Sequence, residues 1–65
     1  MIHELFNQVR LITDRFADEG VIRNAAGYVI EIYDNENYEV EFSKQDGTTY
    51  AQIVAHLKEL EVISL

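Results

Sequence analysis

The stretch Tyr38-Glu39-Val40-Glu41-Phe42 alternates apolar and acidic side chains without a break. A period of two belongs to a strand, whose successive side chains leave opposite faces, so Tyr38, Val40 and Phe42 share a buried face and the two glutamates face water. Turn chemistry brackets the stretch. Asp34-Asn35-Glu36-Asn37 comes before it, and Asx side chains bond nearby backbone groups and tolerate left-handed conformations. Ser43-Lys44-Gln45-Asp46-Gly47 comes after it, with Asp46-Gly47 suited to the positive-φ positions of a tight hairpin. A strand between two reversals is the middle of an antiparallel meander, and it commits the chain to β structure.

Neighbouring segments complete the meander. Tyr28 to Tyr33, rich in β-branched and aromatic residues, is the expected second strand, and Thr48 to Val54 the fourth. Upstream, Val9 and Leu11 alternate with Arg10 and Ile12, so strand one covers Gln8 to Thr13 before the loop chemistry of Asp14 to Gly20. Met1 to Gln8 fits either a helical turn or a lead-in strand, because Ile2, Leu5 and Phe6 have a helix-like spacing too short to decide. Gly20 to Gly27 reads as a folded loop feeding strand two. Ala55-His56-Leu57-Lys58-Glu59-Leu60 reads as one helical turn that drops Leu57 or Leu60 into the core, and Glu61 to Leu65 as the last strand. A long first loop, a central meander and a one-turn helix before strand five give the order of an all-β, five-stranded SH3-like barrel. Its expected core is Val9, Leu11, Ile30, Ile32, Val40, Phe42, Ile53 and Leu60.

With 65 residues and no repeat, linker or proline, a single domain spanning residues 1–65 is expected. A chain of this size buries only about 60% of its unfolded surface. No cysteine is present, so disulfides and thiolate metal sites are excluded, and stability must come from packing or association. The opening Met1-Ile2-His3-Glu4-Leu5-Phe6 lacks the basic region of a signal peptide, and no stretch reaches the roughly 20 apolar residues of a membrane span. No membrane contact and a cytoplasmic location are therefore expected.

Charge selects among partners. Five Lys and Arg stand against 12 Asp and Glu, a net charge of -7, which repels phosphate backbones and argues against nucleic acid. Enzyme chemistry is a poor fit. His3 and His56 have no companion at metal-ligand spacing and no Ser or Cys nucleophile in a recognisable setting, and both read as ordinary surface histidines. Asp34-Asn35-Glu36-Asn37 lacks the glycine and distal glutamate of a calcium loop. The glycines of Gly20 to Gly27 are followed by neither a Lys-Ser or Lys-Thr pair nor a helix, so they suit a barrel corner better than a phosphate loop. No catalytic residue, metal or cofactor is expected.

Gly20-Val21-Ile22-Arg23-Asn24-Ala25-Ala26-Gly27-Tyr28-Val29-Ile30, Tyr33, Tyr38-Glu39-Val40-Glu41-Phe42, Asp46-Gly47, Thr49, Ala51 and Leu60 together resemble the pattern of a small bacterial family, a domain of unknown function numbered forty-nine twenty-six. The resemblance runs from about Val9 to Ile63. Asn24 stands where the family has its middle glycine, and Asn is the non-glycine residue most ready to adopt a left-handed conformation. The resemblance implies an SH3-like fold and no known catalytic activity. By association with toxin-like neighbouring genes, it also implies an immunity or antitoxin role.

Surfaces remain as the carriers of function. Between Glu31 and Asp46 lie six acidic residues, Glu31, Asp34, Glu36, Glu39, Glu41 and Asp46, against Lys44 alone. Strands two and three would present them as one negative face, with Glu31, Asp34, Glu36, Glu39 and Glu41 as the residues that meet a basic protein partner, such as a nuclease toxin. Two alternatives stand beside this reading. Tyr28, Tyr33, Tyr38 and Tyr50 could line an aromatic groove for an extended peptide, as in an SH3-like adaptor. A structural domain could instead pair with itself as a homo-oligomer, through an edge such as strand five.

Overall fold

The computed structural model describes residues 5–64, the last by its backbone alone. Five antiparallel strands, β1 (Gln8–Leu11), β2 (Ala26–Ile32), β3 (Asn37–Ser43), β4 (Thr49–His56) and β5 (Leu60–Ser64), form one sheet in the order β4-β3-β2-β1-β5. A 3-10 turn, Leu57–Glu59, joins β4 to β5. This is the expected all-β architecture of five strands with a single turn before the last, with the barrel left open between β4 and β5, which share no ladder. Met1 to Glu4 lie outside the described residues, and with them His3 and the start of the expected lead-in; Leu65 at the end of the expected last strand does too. Residues 5–7 make a turn ahead of β1.

Inward side chains from every strand meet in one cluster. It holds Val9, Leu11, Val29, Tyr38, Val40, Phe42, Ile53, Ala55 and Leu60, closed at one end by Phe16 and Val21 of the first loop. The strand-three phase is as the alternation requires. Leu60 enters the core and Leu57 packs against it, as the turn before β5 implies.

The expectation for Ile30 is overturned. Cα partners between β2 and β3 run Val29↔Val40 and then Glu31↔Glu39, so Ile30 is an extra, bulged residue. The bulge resets the alternation. Gly27 and Val29 point inward before it, and Ile32, opposite the buried Tyr38, packs against the core after it. Val29 thus takes the core place that plain alternation gives to Ile30.

Gly27 has a steric role beyond its loop. A Cβ there would sit 2.6 Å from the Glu41 carbonyl oxygen and 2.9 Å from the Phe42 ring, so β2 crosses β3 where only glycine fits. Asn24 has φ of +78°, the left-handed conformation expected where the family pattern has glycine. Its N–H donates to the Leu11 carbonyl at 2.7 Å and closes the long loop onto β1.

Strand ends move by one or two residues from their expected places. β1 stops at Leu11 because Ile12 turns its N–H to the Glu59 carbonyl at 2.8 Å. β4 continues to His56, since Ala55 and His56 still face Tyr38 and Asn37 of β3, and this shortens the expected helical turn to Leu57–Glu59. His56 is a capping residue, not merely a surface one. Its Nδ1 accepts from the Lys58 N–H at 3.0 Å, while its own N–H donates to Glu59 Oε1 at 2.9 Å.

Candidate functional site

β2 and β3 carry the acidic residues to one outer face. Glu31 and Glu39 are direct cross-strand partners, and Glu41 faces Tyr28 on β2 and Gln52 on β4. Opposed side chains in such a ladder stand about 5 Å apart at Cβ, and like charges in that position repel. Among the described residues no ion pair involves Glu31, Glu39 or Glu41. Hydrogen bonds give partial relief: the Tyr33 hydroxyl donates to Glu39 Oε1, and Gln52 Nε2 donates to Glu41 Oε2 at 3.3 Å. The bond to Glu39 pushes the Tyr33 phenol above its ordinary range, with partial desolvation and the charges of Glu39 and Glu31 adding to it.

Asp34 and Glu36 lie in the turn at one end of this face, and their work differs. The Asp34 carboxylate accepts the N–H groups of Glu36 at 2.7 Å and Asn37 at 2.8 Å, together with the Asn37 side-chain amide. These donors, the Glu36 N–H above all, hold the Asp34 carboxyl below the usual aspartate range. Asp34 is a turn-forming residue. Glu36 extends toward His56, with its carboxylate 3.9 Å from Nε2, and remains largely exposed. Asp46 sits in the β3–β4 turn at the other end of β3, where its carboxylate accepts the Thr48 N–H at 2.9 Å and hydroxyl at 2.6 Å. The continuous face is therefore Glu31, Glu39 and Glu41, with Glu36 at its rim.

Tyrosines divide as well. Tyr38 is fully buried, with its hydroxyl donating to the Asn35 carbonyl at 2.8 Å, and it leaves the aromatic set proposed for a peptide groove. Tyr28, on the outer side of β2, and Tyr33, just past its end, are 49% and 53% exposed and flank the glutamates. Tyr50 lies at an irregularity of the β3–β4 ladder with its ring tilted against Phe42, 6.3 Å between centroids. The described residues enclose no pocket and hold no cluster of three metal-ligating side chains. Among them, no helix is long and apolar enough to cross a membrane.

Pattern reading of the sequence missed the arginine partners. Arg10 bonds Glu61 at 2.7 Å, Arg15 forks onto Glu59 at 2.6 and 2.8 Å, and Arg23 forks onto Asp14 at 3.1 Å. Two of these pairs join residues 51 and 44 positions apart, which no local spacing reveals. Their effect is to concentrate the net charge. Three of the five basic residues, all arginines, are paired around β1, β5 and the first loop, and the outer face of β2 and β3 is left without a paired cation among the described residues.

No curated protein and no solved structure matched the chain. The family model described as Domain of unknown function (DUF4926) matches residues 5–62, which takes in the acidic face and all five strands but for the last two residues of β5, and the chain belongs to that family.

Proposed function

We propose that this chain is a non-enzymatic, cytoplasmic protein-binding module that neutralises a basic partner, in the manner of an immunity protein or antitoxin. Its binding surface is the outer face of β2 and β3, formed by Glu31, Glu39 and Glu41 with Glu36 at the rim. Asp34 shapes the turn that holds that rim. One observation carries the reading: Glu31 and Glu39 are directly opposed with no cation paired to either among the described residues, while the three arginines pair with other acids. An opposed pair of like charges costs stability in the free protein, and a basic surface would convert that cost into affinity. A nuclease toxin domain, basic because it must hold phosphates, is a partner of the charge this face requires.

The test is a titration of the full chain against the product of the adjacent gene at low and at moderate salt. Association that slows and weakens steeply as salt rises is the expected result, because screening acts on complementary exposed charges. Binding that ignores salt would remove the acidic face from the mechanism.

A further inference from the structure

β4 borders the acidic face and ends the sheet. It pairs with β3 alone, and among the described residues no backbone-to-backbone bond outside that ladder involves residues 49–56. Half of its backbone donors and acceptors therefore point away from the sheet, and among the N–H groups of β4 that of His56 is taken by Glu59 Oε1 at 2.9 Å. The two open edges are guarded differently. β5 carries Glu61, tied to Arg10 of β1 at 2.7 Å, and charge on an edge strand discourages pairing. β4 has eight residues, Thr-Tyr-Ala-Gln-Ile-Val-Ala-His, with no Asp, Glu, Lys, Arg or Pro among them. Its irregularity lies at the Phe42/Ser43 end, so Ala51 to His56 keep regular partners on β3.

Charge decides what can occupy this edge. On the outer side β4 presents Gln52 and Val54, whose cross-strand partners on β3 are Glu41 and Glu39. A strand added to β4 would lie about 4.8 Å beyond it and roughly 10 Å from β3. Long basic side chains on that strand can lean over Gln52 and Val54 toward the carboxylates. Its inward side chains would continue the layer of Ile53 and Ala55, which are buried, and so would be apolar. A second copy of this chain is the wrong occupant. It would bring an uncharged strand followed by its own Glu39 and Glu41, on a molecule of net charge -7.

We infer that the free edge of β4 receives an extended segment of a partner protein as a sixth strand, with Lys or Arg alternating with apolar residues. The backbone ladder supplies affinity, and Glu39 and Glu41 select the sign of the outward side chains. This rests on the acidic-face reading and adds the docking mode.

The probe is a terminally blocked eight-residue peptide alternating lysine with valine, titrated into the full chain and followed by amide NMR. Two further versions carry N-methyl groups on alternate residues, one set per backbone edge, so the charge is kept while one edge can no longer donate. The unmodified peptide should shift the amides of residues 51–56. One methylated version should lose at least about tenfold in affinity and the other almost none, since a strand docks through a single edge and only that edge's lost backbone bonds weaken binding. Equal binding of both methylated versions overturns the edge docking and leaves the acidic face standing. Equal binding of a glutamate–valine counterpart overturns the acidic-face reading as well. No binding of the unmodified peptide, or a free chain that sediments as a dimer with its β4 amides protected, overturns the proposal.

Discussion

Around β1, β5 and the first loop, Arg10, Arg15 and Arg23 each meet a carboxylate, whereas Glu31, Glu39 and Glu41 on the outer side of β2 and β3 meet no cation among the described residues. The paired acids fasten segments that are remote in sequence. Glu59, with only 15% of its side chain exposed, holds Arg15 of the first loop and the N–H of His56, which caps the 3-10 turn, at once, and the Arg15 guanidinium also lies 4.2 Å from the Phe16 ring centre. The unpaired acids fasten nothing beyond a tyrosine and a glutamine. Identical side-chain chemistry thus serves architecture on one side and leaves a field on the other, and the two uses should separate when mutated.

Removing the core beneath both regions should have the largest effect. Phe42→Ala should cost about 3 to 5 kcal/mol by denaturant unfolding, since Phe42 is fully buried within the cluster. Gly27→Ala should follow, at about 1 to 3 kcal/mol, because the added methyl meets β3 backbone that cannot yield. At the loop, Asn24→Val should cost about 1 to 2 kcal/mol while Asn24→Gly stays neutral or slightly stabilising, which a side-by-side thermal melt resolves.

Glu59→Ala probes the paired region itself and should cost about 1 kcal/mol near neutral pH, through loss of the cap and the arginine fork. The penalty should depend on pH in a defined direction. The hydrogen bond from Arg15 holds the Glu59 carboxyl below its ordinary value of 4.5, so its stabilisation is complete above that value and is lost as pH falls through the lowered one. Parent and variant should therefore converge in acid, and a gap that persists at low pH would assign the effect to packing.

Much of the fold was legible because its signals are local. The period of two in Tyr38 to Phe42, the Asx turn at Asp34 and the Asp46-Gly47 reversal each act within a few residues, and all appear where the sequence puts them. Asn24 was legible only through the family pattern, which has glycine there, and its φ of +78° agrees with that expectation. Ile30 was not, because a bulge depends on how β3 pairs with β2 and leaves no mark on the β2 sequence alone. Within the candidate site, alternation gave Glu39 and Glu41 their side of the sheet. The division of labour between Asp34, which forms a turn, and Glu31, which faces Glu39, needed the register.

The central claim is that the acidic face acts in binding and contributes little to folding, and the double variant Glu31→Lys with Glu41→Lys tests it most directly. Glu39 is left intact because it also holds Tyr33. Stability should change by no more than about 0.5 kcal/mol, and it can rise slightly because Glu31→Lys sets an opposite charge across the ladder from Glu39. Affinity for the product of the adjacent gene, measured by titration at low salt, should fall by about 2 kcal/mol or more, with slower association and a shallower salt dependence. A folded double variant that binds as tightly as the parent would contradict the account.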